Sequence, residues 1–245
     1  MLILTPILPL YLRLRVWKGK EEFGRLQERY GKGTLKRPEG TLIWIHAASV
    51  GESLSTLPLI DLLVKHDKKT HVLLTTGTIS SANLMKERLP NRAFHQYAPI
   101  DHSKYVRNFF NCWNPDIGIW TESEFWPNLV IEAKKHGVPI GLINGRISDK
   151  SFRGWKRLGK MISIIIRKFD FCLGQTKDDT RKLGILGAKN YEYLGNLKFS
   201  SPPLPVNKQE LLHLSSQIQD RPCWLAASTH KGEEEIVAHV HQKLK

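Results

Sequence analysis

Short apolar runs recur through most of the chain, at Leu42–Ala47, Thr70–Thr75, Ala93–Tyr97, Ile117–Trp120, Pro139–Ile143, Phe169–Leu173 and Tyr191–Leu194. Between most of them lie stretches with helical spacing of apolar positions: Leu54–Lys65, Ser80–Arg88, Ser103–Asn111, Pro127–His136, Phe152–Arg167 and Thr176–Leu183. Apolar runs of strand length that alternate with amphipathic helices predict an α/β fold, a parallel sheet covered on both faces. Pro127 suits the first position of its helix, where a missing N–H costs little.

Both ends depart from this rhythm. Met1–Leu12 is apolar but interrupted by Pro6 and Pro9. It is too short to span a bilayer, which takes about 20 apolar residues. Its cations follow the apolar run instead of preceding it, which fits a signal peptide poorly. With Tyr11 and Trp17 at the boundary and Arg13, Arg15, Lys18 and Lys20 beyond, residues 1–38 read as an arm lying at a membrane interface. The competing reading is an arm packed on its own domain. Residues 39–199 form the main domain. Ser200–Pro205 holds three prolines in four positions and reads as a linker, continued by a helix at Lys208–Gln217. A strand at Cys223–Ala227 and a final helix follow, so residues 222–245 read as the first βα unit of a second domain, too little to bury a core alone.

Composition narrows the chemistry. The 245 residues are 41% hydrophobic, enough for a core. Cys112, Cys172 and Cys223 are far apart and form no ligand pair, and the ten histidines show no metal-binding spacing. No metal site is expected. The net charge of +14 is concentrated: Arg13–Arg37 carries nine basic and three acidic residues, Arg146–Lys168 eight and one. Clustered cations imply an anionic partner. A nucleic acid is disfavoured, because no recognition-helix or RNP-like sequence accompanies the charge.

Four polar segments would stand at carboxyl ends of strands, where open α/β sheets bind ligands: Ser49–Glu52, Thr75–Thr78, Thr121–Glu124 and Asn144–Arg146. Glu52 begins a helix and is either a functional carboxylate or a capping one. Thr76 and Gly77 suit a phosphate or sugar hydroxyl, or merely a cap. Glu122 and Glu124 adjoin Phe125 and Trp126, and apolar surroundings raise a carboxyl pKa toward acid–base use. For Glu124 the plainer expectation is an arginine partner or a cap. Lys198, between the last strand and the linker, is a candidate for neutralising developing negative charge. Neither a GxGxxG nor a Walker sequence is present.

The segments Trp44–Ser53, Thr121–Asn128, Asn144–Ser148, Gly195–Lys198 and Ala226–His230, followed by Gly232–Glu234, occur in this order. Together they closely resemble the 3-deoxy-D-manno-octulosonic acid (Kdo) transferases, over about Pro9 to Lys245. The resemblance implies a Rossmann-like domain of a two-domain GT-B, inverting glycosyltransferase on the cytoplasmic face of the bacterial inner membrane. It implies CMP-Kdo as donor substrate, with no cofactor, and a lipid A precursor (lipid IVA) as acceptor. Glu52 would be the proton acceptor, with Glu122 and Lys198 stabilising the transition state. Ser49, Gly51, Ser53, Thr76, Gly77 and Arg146 are the candidate acceptor contacts. Members of the family continue through a whole second domain that carries most CMP-binding positions. The chain is therefore expected to be a fragment, one half of a split gene that acts with a separate chain bearing that domain, or a non-catalytic lipid- or membrane-binding remnant or partner subunit, and to have little or no activity alone.

Overall fold

The computed structural model describes residues 7–200 and 206–244 of the chain. Two compact units divide it, Met1–Pro202 and Pro203–Lys245. The start of the apolar arm and most of the proline linker lie outside the described residues.

In the first unit, β1 (Thr41–His46), β2 (Thr70–Thr76), β3 (Ala93–Tyr97), β4 (Ile117–Thr121), β5 (Ile140–Gly145), β6 (Phe171–Gly174) and β7 (Tyr191–Tyr193) form one sheet. Its order is β3-β2-β1-β4-β5-β6-β7, and every neighbouring pair is parallel. The expected Rossmann-like architecture is the observed one. The chain runs outward from β1 to β3, then returns to place β4 on the other side of β1. Connections leaving β1 and β4 diverge there, opening a crevice at the carboxyl ends of these two strands.

Helices α1 (Ile7–Trp17) and α2 (Leu26–Arg29) precede the sheet. Then α3 (Val50–His66), α4 (Ile79–Arg88), α5 (Ser103–Trp113), α6 (Pro127–Lys135), α7 (Asp149–Leu158), α8 (Lys160–Ile166) and α9 (Lys177–Leu186) alternate with the strands. Side chains alternate across β1 and both faces are covered, which is why its interior, Leu42–Ile45, is apolar at consecutive positions. Leu42 and Trp44 join Phe109, Phe110, Trp113 and Trp120 on one side. Ile43 and Ile45 join Ile60, Val64 and Met85 on the other. Trp44 is the hub of the first cluster, with ring centroids of Trp120 at 4.5 Å and Phe109 at 4.9 Å. Its indole N–H donates to Thr75 Oγ1 (2.8 Å), so the buried aromatic leaves no polar atom unpaired.

Three expectations need correction. The helix foreseen over Phe152–Arg167 is two helices, broken at Gly159. That residue has φ +50° and ψ −116°, a conformation side-chain-bearing residues avoid. Pro9 does not interrupt the arm, since it sits in the first turn of α1, where its missing N–H has no helical partner to lose. The strand foreseen at Cys223–Ala227 does not form. A strand is held by ladder hydrogen bonds to a neighbour, and among the described residues of the second unit no other strand is present. That unit consists of α10 (Lys208–Ile218), capped by Asn207, and α11 (Glu233–Leu244).

The arm is tied down by charge. Arg25 grips the fully buried Glu28 with Nε and Nη2, both at 2.8 Å. Arg29 grips the buried Glu21 (2.9 and 3.1 Å), which also receives Arg15 Nε at 2.9 Å. Tyr97 lies against the Arg25 and Arg29 guanidinium groups, at 4.5 and 4.6 Å. Part of the first basic cluster is thus spent internally, and the arm is packed on its own domain. It still exposes Leu10, Tyr11, Leu14 and Trp17.

Candidate active site

The site is built where β1 stops. Ala47 and Ala48 are small, Ser49 is extended and caps α3, and Glu52 falls in the helix's first turn. Ser49 Oγ accepts from Glu52 N (3.3 Å) and donates to Glu52 Oε1 (2.7 Å), a reciprocal capping arrangement. Oε2 accepts from Ala48 N (2.9 Å) and faces Thr121 Oγ1 of β4 at 3.0 Å. The Thr121 hydroxyl has a second acceptor at 3.0 Å, the His46 carbonyl, so one proton serves two oxygens. Glu52 is therefore clamped from both sides of the switch point, by the loop after β1 and the end of β4. A carboxylate offers four lone-pair sites, and these donors fill at most three. The one left open is on Oε1, beside the exposed Ser49. The capping role and a chemical role are compatible: the cap fixes the geometry and leaves one acceptor position.

Glu122 follows directly, in the left-handed region at φ +55°. Its N–H donates to Ile143 O (3.1 Å), and its carboxylate Oε1 lies 3.5 Å from Lys198 Nζ. The same Nζ lies 4.0 Å from where a Cβ on Gly51 would stand. Lys198, distant in sequence, is thus held above the start of α3 by the turn Leu197–Ser200. Asn144 supports that turn from the end of β5. Its Oδ1 accepts from Leu197 N (3.0 Å), it is buried, its φ is +52°, and its Nδ2 has no partner. Ser123 Oγ donates to the Arg146 carbonyl, drawing the two loops together, while the Arg146 side chain is exposed.

Glu124 has no arginine partner among the described residues. Burial first, then the nearby Glu52 and Glu122 charges, push its carboxyl above the ordinary range, against a hydrogen bond from Trp126. His46 is fully buried, and desolvation lowers its pKa to about 4. The imidazole is neutral, with Nδ1 3.0 Å from Thr75 Oγ1.

The structure brings Glu52, Glu122, Lys198, Ser49 and Gly51 together at one rim. Ser53 and Thr76 are buried, their hydroxyls engaged by Ser49 O (2.7 Å) and His95 Nε2 (2.8 Å), so both support the loops without facing the crevice. Gly77 serves close approach: its N–H donates to Ala48 O (3.2 Å), and a Cβ there would lie 3.1 Å from that oxygen. Arg29 reaches the same corner, with Nη2 on Gly77 O (2.7 Å) and Nη1 on Ala98 O (3.0 Å). The sequence places Thr121 and Asn144 in rim loops but gives neither a partner, and nothing in its pattern singles out Arg29. Among the described residues no group of three or more His, Cys, Asp or Glu side chains stands ready for a metal ion.

Comparison with known proteins adds the relatives. Residues 24–201 match the family described as 3-deoxy-D-manno-octulosonic-acid transferase (kdotransferase). A 3-deoxy-D-manno-octulosonic acid transferase of Rickettsia bellii is 40% identical over 243 residues, 99% of this chain and 58% of that protein. One from Haemophilus influenzae is 30% identical, covering 100% of this chain and 58% of the relative. The chain thus spans a little over half the length of these relatives. Among solved structures, a ugt transferase from Siraitia grosvenorii in complex with UDP shares the fold at TM-score 0.50 and 10% identity, over 84% of this chain and 63% of that one.

Proposed function

This chain belongs to the 3-deoxy-D-manno-octulosonic-acid transferase family, a family of glycosyltransferases, and from that premise we propose that it forms the acceptor side of a GT-B enzyme that moves Kdo from CMP-Kdo to lipid IVA. The acceptor hydroxyl donates to the open site on Glu52 Oε1 and gives up its proton there. Its oxygen forms a bond to the anomeric carbon of Kdo while the bond from that carbon to the CMP phosphate oxygen breaks. The electron pair leaves with CMP from the opposite face, inverting the centre. Glu122 stabilises positive charge on the sugar, and Lys198 balances negative charge nearby. Ser49, Gly51 and Arg146 line the acceptor's approach.

The observation that carries this reading is the convergence of Glu52, Glu122 and Lys198 from three segments onto the β1/β4 switch point, with Lys198 Nζ 3.5 Å from Glu122 Oε1. The donor's nucleotide is held by a domain beyond these residues, on this chain's own continuation or on a separate chain. The test is transfer from radiolabelled CMP-Kdo to lipid IVA by the protein together with that donor-binding domain. Glu52→Gln is expected to lower the rate by about 10²–10⁴. An unchanged rate would refute the base assignment.

The acceptor belongs to a membrane, and the surface suits one. On α7 and α8, Leu158, Met161 and Ile164 are exposed among Lys150, Arg153, Lys156, Arg157, Lys160 and Arg167. None of these cations makes an ion pair among the described residues. Such a face seats in anionic lipid. No described helix is long and apolar enough to cross a membrane. We place the protein peripherally on the cytoplasmic face of the inner membrane. A non-catalytic lipid-binding role is the outcome if the lipid face binds vesicles but the Glu52 test shows no transfer.

A further inference from the structure

A cavity of about 220 Å³ opens between α1 and the carboxyl ends of β1–β3. Its walls are largely apolar: Tyr11 and Leu12 from α1, Ala98 and Ile100 after β3, Trp126 and Leu129 at the start of α6. Its floor reaches Ala48 and Gly77, and Ala48 N is the donor to Glu52 Oε2. The charged residues that line it ask nothing of a ligand. Arg15 and Arg29 are paired with Glu21, and Asp101 accepts the Asn128 and Leu129 amides. His46, also on the floor, adds no charge because its imidazole is neutral.

The cavity is open at its mouth, so water occupies it, and a hydrocarbon chain that displaces this water from the largely apolar walls gains about 0.8 kcal/mol per buried methylene. Its mouth has the half-exposed rings of Tyr11 and Trp126, with Leu10 and Leu14 exposed on the same helix. Aromatic rings of this amphipathic kind sit where one end of a ligand is apolar and the other wet.

We infer that this cavity is a binding site for a single hydrocarbon chain of an amphiphile, whose polar head then lies at the Glu52 loop. The site itself stands on the cavity. Only the meaning of the head's position rests on Glu52 acting as the base, for an acceptor that carries acyl chains. A chain lodged there fixes which hydroxyl of the head can reach Glu52 Oε1, and the anchoring acts as a ruler measured from the apolar end.

The test is calorimetric titration of the protein with n-alkyl β-glucosides of six to ten carbons, each below its micellar concentration. Affinity is expected to tighten about fourfold per added methylene until the chain fills the cavity, then level off. Ala98→Phe, which fills the space from the β3 side, is expected to weaken binding at least tenfold. Ile100→Trp, filling it from the adjoining loop, is measured beside it, and urea midpoints establish that each variant is folded. Failure of wild-type affinity to rise with chain length overturns the proposal. So does unchanged binding by a folded variant. Decanoate held equally by wild type and both variants would put alkyl binding on the basic α7–α8 face, and would overturn it too. Because no sugar transfer is read, the two ideas fail separately. Alkyl binding without transfer removes the catalytic reading and leaves the site, whereas transfer without alkyl binding does the reverse.

Discussion

Replacing Arg29 by methionine tests whether the N-terminal arm holds the Glu52 corner of the sheet in shape. Arg29 is buried and makes four polar contacts: two to Glu21 (2.9 and 3.1 Å), one to Ala98 O (3.0 Å) and one to Gly77 O (2.7 Å). Methionine keeps most of the stem's packing and removes all four. Taking one partner from a buried ion pair costs about 3–5 kcal/mol, because the other charge is left uncompensated. Here Arg15 still reaches Glu21 at 2.9 Å, which moves the expectation to the low end, about 3 kcal/mol. Two carbonyls left without this donor keep it from falling further, at about 1 kcal/mol each. The domain should remain folded, since stabilities of roughly 5–15 kcal/mol are usual. Urea unfolding followed by tryptophan fluorescence reads the change. With a slope of roughly 2 kcal/mol/M, the midpoint should fall by roughly 1.5 M at unchanged slope. Arg29→Lys should recover only part, since one ammonium cannot reach Glu21 and both carbonyls. A Glu21→Gln, Arg29→Met double-mutant cycle should show strong coupling. A midpoint shift under about 0.3 M for Arg29→Met would refute the clamp.

Acid should destabilise the protein through His46. Its folded pKa is about 4 against an ordinary 6.5, so the unfolded chain binds the extra proton first. The stability is complete above pH 6.5 and is lost as pH falls toward 4, a loss of about 3 kcal/mol by linkage. His95, lowered to about 3 by burial and then by the Arg25 and Arg29 charges, acts in the same direction. Unfolding of His46→Gln across pH 4–7 should show a flatter slope, and an identical slope would contradict the buried neutral imidazole. Gly77→Ala should displace Ala48 O, which would lie 3.1 Å from the new Cβ, and so loosen the loop that holds Glu52. Amide exchange at Ala48 should speed up, and unchanged protection would count against the contact. Reversing Lys156, Lys160 and Arg167 to glutamate should weaken binding to anionic vesicles by several-fold per residue, from about 1 kcal/mol for each cation at the surface. Equal flotation of wild type and variant would remove the lipid face.

Much of the fold was determined locally. Runs such as Leu42–Ala47 and Thr70–Thr75 carry apolar residues on both faces, at Leu42–Ile45 and Val72–Leu74, because strands in the middle of a parallel sheet are buried on both faces. Helices start where a hydroxyl caps the first turn, at Ser49, Thr78 and Thr176, although apolar spacing alone begins the first of them only at Leu54. What periodicity could not resolve was the break at Gly159, since a single glycine inside an amphipathic pattern is tolerated as often as it ends a helix. Nor could it tell that Cys223–Ala227 has no partner strand among the described residues, because the apolar pattern of a strand says nothing about what lies beside it.

The candidate site divides along the same line. That a carboxylate sits at the first turn of α3 is written in Ser49–Glu52, but four consecutive residues cannot say what surrounds it. Tertiary structure decided that Thr121 and the Ala48 amide clamp Oε2, and that Oε1 keeps an open position. It carried Lys198 across nearly 150 residues of chain to stand over Gly51, through a turn anchored on Asn144. It also removed Ser53 and Thr76 from the crevice by burying them. A parallel sheet gathers every βα loop at one edge, so sequence order predicts the edge a residue occupies. Which of those residues touch depends on strand order, and only the return of the chain to place β4 beside β1 set Glu52 against Thr121.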